Sequence, residues 1–206
     1  NLFFFSFMVL FKLENFFKII DNKEMLEIFC LIFPEFKNIN RLKNFKFLKH
    51  HVENSVTFLL AILLVDLQGD HEYFSHKYKV SNKIRENLNL IGNKFKDFKN
   101  DNDFFNKKLK ENLYYLGVKN LKILYCIYLL DKKKITEKDV IFFQNIKKIA
   151  VPKFPFDGKF LIKKGIQEGK KIGIILKEAE EVWLQNNFNL SSKELEVVIK
   201  KNTISN

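Results

Sequence analysis

Between Phe58 and Val65 the chain reads FLLAILLV, a run without one polar side chain. A helix that is apolar on every face is stable in water only when other elements surround it. This run therefore sets the architecture, because the chain must supply enough amphipathic helices to enclose it. A bilayer span needs roughly 20 apolar residues, and this run, like those at 2–11 and 123–130, falls well short. All three read as core segments, and no membrane partner is expected.

The enclosing helices are legible from their period. Leu13, Phe16, Phe17 and Ile20 recur at helical spacing, then Met25, Ile28, Phe29 and Ile32, until Pro34 stops the pattern. An Asn-rich link over 38–44 leads into a central helix over 47–67, with Val52, Val56, Leu59, Leu60 and Leu63 on one face and Gly69 as its stop. Beyond a short HEYFSHKY segment, Ser81 is placed to cap a helix that turns Ile84, Leu88, Ile91 and Phe95 inward. Phe105, Leu109, Leu113 and Leu116 form the next stripe, with Asp103 as N-cap and Gly117 as stop, and Leu121, Leu124, Tyr125 and Tyr128 form another. Thr136 and Asp139 have the spacing of a capping box ahead of Val140, Phe143 and Ile146. Strand-type alternation persists nowhere, so the fold class predicted is all-α: a multi-helix bundle, or body, over residues 1–150.

Composition breaks at Val151. The stretch 151–188 holds two of the three prolines, four of the seven glycines and the only tryptophan. Pro152 and Pro155 bias their predecessors away from helix, and Asp157-Gly158 is turn chemistry. A domain boundary is expected here, followed by a small helical tail module over 151–206 with a Gly/Pro-rich lead-in. Within it a tight turn passes through Gly169 into a helix bearing Ile172, Ile175, Leu176, Ala179 and Trp183, and Ser191 with Glu194 forms a second capping box.

The formal charge is +12 with a pI near 9.5, which favours polyanionic partners because Lys and Arg neutralise phosphates and release counterions. Phe, Lys, Asn and Ile are abundant together, as an AT-rich gene dictates, so roughly half of the basic excess is assigned to codon bias. Lysine clusters recur at 132–134, 147–148, 163–164, 170–171 and 200–201. Those beside the glycine turn are the most informative, since glycines admit a phosphate close to the backbone and leave N–H donors at a helix start.

Other chemistry is poorly supported. Cys30 and Cys126 stand far apart outside any C-x-x-C, which fits a reducing cytosol and neither a disulfide framework nor a zinc ribbon. His71 and His76, five apart, would sit about 140° apart on a helix, a poor chelating geometry. Asp101 and Asp103 form a D-x-D, but in an interhelical loop rather than on the strand that would hold both carboxylates for a metal. The apolar opening NLFFFSFMVLF lacks the basic residues and cleavage site of a secretory signal. Starting with Asn and running straight into apolar sequence, the chain is expected to be a piece of something longer.

The stretch 155–184 resembles the C-terminal region of bacterial tRNA nucleotidyltransferases, the CCA-adding enzymes grouped with poly(A) polymerases. Pro155, Phe156, Gly158, Leu161, Gly165, Ile166, Gly169, Ile172, Gly173 and Leu176 stand in the family's spacing without a gap, ahead of an acidic stretch and Trp183-Leu184. Upstream, EMLEIFCLIFPEF and YKVSNKIRENL resemble family segments in the same order. Departures are Phe160 for an expected Asp, and Glu168 and Lys170 for two prolines around Gly169; these imply a looser turn. The family's head, with its Gly-Gly loop, D-x-D pair and nucleotide-selecting strip, has no counterpart in context.

The resemblance implies a helical body and tail that hold tRNA by phosphates and shape, as an A-form duplex requires, from a split or truncated gene. Lys153, Lys159, Lys163, Lys164, Lys170, Lys171 and Arg85 are the candidate RNA contacts. Pro155, Gly158, Gly165, Gly169, Gly173 and Trp183 are the structural turn motif. No catalytic or metal residue is assigned; magnesium and CTP or ATP would belong to a separately encoded catalytic head, the other expected partner besides tRNA. Two further readings stay open: a decaying gene product without a role, and a helical membrane or protein-interaction module.

Overall fold

The computed structural model describes residues 18–45, 48, 52 and 55–204, and among them every regular element is a helix. The chain is all-α, as its periodicity predicts. The apolar opening and the stripe at Leu13, Phe16 and Phe17 lie outside the described residues. Two compact units divide the chain, Asn1–Ile149 and Ala150–Asn206.

The first unit contains α1 (Lys23–Ile32), α2 (Arg41–Phe45), α3 (Val56–Leu64), α4 (Asp70–Lys77), α5 (Asn82–Asn100), α6 (Leu109–Leu130), α7 (Glu137–Asn145) and a 3-10 turn (Ile146–Lys148). Helix α3 is its centre. Ser55 caps it by accepting the Phe58 N–H, and α2, α4, α5 and α6 all pack on it. Phe58 is 2% exposed and the seven residues through Val65 are fully enclosed. With each large apolar side chain stabilising by about 1.5–3 kcal/mol on burial, this helix nucleates the core that the sequence pattern demands.

Helix α3 stops at Leu64, short of the predicted 67, because the Asn-rich link is not a link. It folds into α2, which buries Arg41, Leu42 and Phe45. The Arg41 guanidinium donates to the Ile62 and Val65 carbonyls, at 2.8 Å each, and the Asn38 amide donates to Leu63 O at 3.3 Å. These donors satisfy carbonyls that the end of α3 leaves open. Arg41 also makes a two-point contact with Asp131, 2.7 and 3.2 Å. Asn44 donates to Leu130 O at the end of α6. Gly69 does not close α3 either: at φ +85° it occupies the N-cap of α4, which takes up the HEYFSHKY segment.

Helix α1 buries Phe29 against Phe33 and Phe36, while Met25, Ile28, Leu31 and Ile32 remain 47–82% exposed. Apolar residues lie on more than one of its faces, and only the face led by Phe29 meets the core. In α5, Leu88, Ile91 and Phe95 point inward as predicted; Ser81 takes the N-cap position without a side-chain capping bond. Helix α6 is long and apolar enough to cross a membrane by length and composition. It is broken at Gly117 (φ +69°, ψ 166°), where the predicted stop lies, and its buried side chains include Asn112 and Asn120. Asn112 donates to Phe104 O and Asn120 to Asn87. Asp103 is not its N-cap; the helix begins after a run of turns, with Lys108 at the cap position. The Thr136–Asp139 capping box forms in both directions at the start of α7.

The second unit holds α8 (Gly158–Lys163), α9 (Lys170–Gln185) and α10 (Ser192–Ile204) around Leu161, Ile175, Ala179, Leu195 and Val198. Asp157 caps α8 by accepting the Phe160 N–H. Gly165 (φ +86°) ends it with Ile166 N–H on Leu161 O and Gly165 N–H on Ile162 O, the paired bonds of a Schellman cap. Helix α9 ends likewise through Asn187 and Phe188, whose ring meets Trp183 at 4.9 Å. The Ser191–Glu194 capping box opens α10.

Candidate nucleic-acid interface

Six of the seven candidate contact residues lie in the second unit. Lys153 is exposed in the extended lead-in, Lys159 and Lys163 are exposed one helical turn apart on α8, and Lys164 follows with its ammonium 5.9 Å from the Phe160 ring. Lys170 and Lys171 are the first two residues of α9. Arg85, on α5, belongs to the other unit, where it is exposed and donates to Asn82.

The start of α9, like that of α5, has no acidic residue in its first turn and no side-chain cap. Acidic groups occupy the first turns of α1, α4, α7 and α10, complementing the positive end of the helix dipole. In α9, Gly169, at φ +142°, occupies the cap position, a conformation few residues other than glycine adopt. Two lysines therefore stand on a dipole end that already favours anions, with free backbone N–H donors between them.

The structural-motif residues separate into distinct roles. Gly165 closes α8, and Trp183, 3% exposed, packs edge-on against Phe154 and Phe188. Pro155 is exposed in the lead-in, flanked by Phe154 and Phe156, whose rings meet at 5.6 Å. A Cβ on Gly158 would make an ordinary 3.5 Å contact with Ile172, and one on Gly173 would meet open space.

Other lysine pairs are partly committed to the fold. Lys132 makes a two-oxygen contact with Asp139, at 2.8 and 2.9 Å, and Lys201 pairs with Glu178. Burial works against the charged form of Asp139, but hydrogen bonds from Lys132 and Thr136 outweigh it and hold its carboxyl below the usual range. In the first unit, Lys119, Lys122 and Lys147 surround a cavity of about 210 Å³ floored by Phe58, Ile123 and Phe143, with no acidic residue among the described residues of its lining. Lys147 was visible as part of a basic pair; Lys119 and Lys122, two and five residues after the Gly117 break, were not signalled by clustering.

The D-x-D pair is internally satisfied. Asp101 accepts the Asp103 N–H and pairs with Lys108 at 2.9 Å, contacts that hold its carboxyl below the ordinary range, while Asp103 pairs with Lys107. His71 is fully buried and His76 exposed, so the two do not converge. Among the described residues, no group of three or more His, Cys, Asp or Glu side chains is arranged to hold a metal ion.

Over 51 residues, a quarter of its length, the chain is 35% identical to the CCA tRNA nucleotidyltransferase 1, mitochondrial, of Danio rerio. Over 52 residues it is 38% identical to the protein of the same name from Mus musculus. The link is to this family, and it is partial. The matched segment spans only 12% of the length of each relative. No protein-family model and no solved structure matches the chain.

Proposed function

We propose that this chain is a tRNA-holding part of a CCA-adding enzyme, inactive in nucleotidyl transfer by itself and working with a separately encoded catalytic head. The observation that carries the proposal is the 51-residue likeness to CCA tRNA nucleotidyltransferases. The basic, uncapped start of α9 supports it. Backbone N–H donors at a glycine-opened helix start, flanked by Lys170 and Lys171, are the chemistry that grips a phosphate without reading sequence. Lys153, Lys159, Lys163 and Lys164 extend the same charge along the lead-in and α8, and Arg85 adds a further contact from the body. Gly165, Gly169 and Trp183 shape the tail that presents these groups. Phosphoryl chemistry of this kind uses carboxylate-bound magnesium, so the head would supply those groups together with the CTP and ATP site.

The test uses the purified chain with tRNA lacking its CCA end, with CTP, ATP and magnesium. The chain alone should bind the tRNA with an affinity that falls steeply as salt rises, since each neutralised phosphate contributes about −0.7 to −0.9 to the log–log slope. Replacing Lys170 and Lys171 by Ala should reduce that slope by between about 1 and 2. Nucleotide incorporation by the chain alone, or salt-independent binding, would contradict the proposal.

A further inference from the structure

The end of α5, the turns over 101–108, α6 and α7 enclose an open cavity of about 510 Å³ in the first unit. Its size lies in the range of small-molecule sites. Phe98, Phe105, Tyr128 and Phe142 line it and are all half-buried, so the rings retain accessible surface. They form a connected group: Phe98 meets Phe105 at 5.2 Å and Tyr128 at 5.3 Å, and Tyr125 bridges Phe105 at 4.8 Å and Phe142 at 4.7 Å. Flat aromatic surface of this kind is where bases stack.

The polar lining fits the same ligand. The side-chain amides of Asn102 and Asn106 are exposed and make no hydrogen bond with the described residues. An amide offers one donor and one acceptor group, the pattern needed to pair with a base edge. Lys138 stands exposed on the rim, and Lys99 places its ammonium 5.5 Å from the Phe98 ring. The lining carboxylates are already neutralised within the protein, Asp101 by Lys108 and Asp139 by Lys132. Lys99 lies 3.6 Å from Asp131 and is itself paired, so the rim charge open to a guest is Lys138. A cationic guest would meet it and find no free lining carboxylate among the described residues, whereas a phosphate meets matching charge.

We infer that this cavity takes one unpaired nucleotide, with the base against the Phe98–Phe105–Tyr128–Phe142 rings, its edge read by Asn102 or Asn106, and its phosphate beside Lys138. For the polymer this rests on the RNA-holding reading. The same chemistry would accept a free mononucleotide, and the experiment separates the two sources.

The full chain is titrated into 2-aminopurine riboside 5′-monophosphate, a hexaribonucleotide carrying one 2-aminopurine, and tRNA. Stacking on the rings should quench 2-aminopurine fluorescence several-fold. Phe142→Leu should abolish most of the quenching. The exposed changes Asn106→Asp and Lys138→Ala should each weaken binding about fivefold or more, and both leave the core untouched. Replacing Lys170 and Lys171 should not alter the mononucleotide signal. Quenching by the hexamer but not the mononucleotide assigns the pocket to RNA; quenching by the mononucleotide without tRNA binding assigns it to free nucleotides and overturns the RNA-holding reading instead. Binding of tRNA with no quenching of either probe, or quenching indifferent to all three pocket variants, overturns the pocket inference and leaves RNA holding intact.

Discussion

Gly92 sits in the interior of α5 against the fully buried imidazole of His71. A methyl group at Gly92 would lie 2.2 Å from His71 Nε2 and 2.4 Å from Cε1, more than an ångström inside ordinary contact. Helix propensity alone makes Gly→Ala stabilising by about 1 kcal/mol in such a position. Here the overlap should dominate. Overpacking a filled core costs about 1–3 kcal/mol and at times more, and His71, wholly enclosed, has no solvent into which to swing. The expected net effect of Gly92→Ala is destabilisation by about 2 kcal/mol, or a Tm drop of about 4–8 °C for a chain of this size. In a His71→Ala background the methyl gains room and its propensity reappears, so Gly92→Ala should stabilise by about 1 kcal/mol. The double-mutant cycle, read by urea denaturation, should then give a coupling near 3 kcal/mol. A Gly92→Ala variant that is more stable than the parent, or a coupling below about 0.5 kcal/mol, would refute the proposed contact.

The same histidine predicts a pH response. Burial lowers the His71 pKa, with Lys96 adding to the effect against the opposing carboxylates of Glu72, Asp66 and Asp70, and neither ring nitrogen has a hydrogen-bond partner among the described residues. With the folded pKa below the unfolded value of about 6.5, the unfolded chain binds the proton first; stability is full above that pH and falls by up to about 1.4 kcal/mol per unit as pH drops toward the folded pKa. Urea melts between pH 7.5 and 5.5 should show this slope, and His71→Gln should flatten it; an unchanged slope counts against the assignment. Arg41→Ala should cost about 2–3 kcal/mol, chiefly because it leaves two α3 carbonyls without their donor, while Asp131, exposed, keeps Lys99 at 3.6 Å. Arg41→Lys should recover only part of the loss, since an ammonium cannot reproduce the fork; full recovery in chemical denaturation would show that charge alone matters. Ser191→Ala should destabilise by about 1 kcal/mol through the α10 cap, detectable as faster hydrogen exchange at the amides of 192–195, and unaltered exchange there would contradict it.

Helical period carries one kind of information, and the differences between sequence and structure follow from that. It identifies which residues share a face, so the enclosure of 58–65, the inward row Leu88, Ile91 and Phe95, and both capping boxes were legible before any coordinates. It cannot tell whether a polar residue in a short segment is solvated or satisfied from a distance. The Asn-rich stretch over 38–44 looked like a loop because its hydrogen bonds reach residues about twenty to ninety positions away, to Leu63, Ile62, Val65, Leu130 and Asp131. No local pattern encodes an acceptor at that separation.

The aromatic cavity escaped the sequence for a related reason. Phe98, Phe105, Tyr128 and Phe142 come from the end of one helix, a run of turns and two further helices, and nothing in any one segment's pattern joins them. Period places Phe105 and Tyr128 on inward stripes and leaves Phe98 and Phe142 off them, and it is silent on which rings meet across segments. Period separates Phe143, fully enclosed, from its neighbour Phe142, but only packing shows that Phe142 is half-exposed at a cavity rather than in solvent. That single step along α7 separates a side chain whose substitution should cost stability from one whose substitution should cost binding. Phe143→Leu should therefore destabilise the fold by about 1–3 kcal/mol. Phe142→Leu should remain close to the parent in denaturation while losing 2-aminopurine quenching, and a reversed pattern would mean that the rings serve the core rather than a ligand.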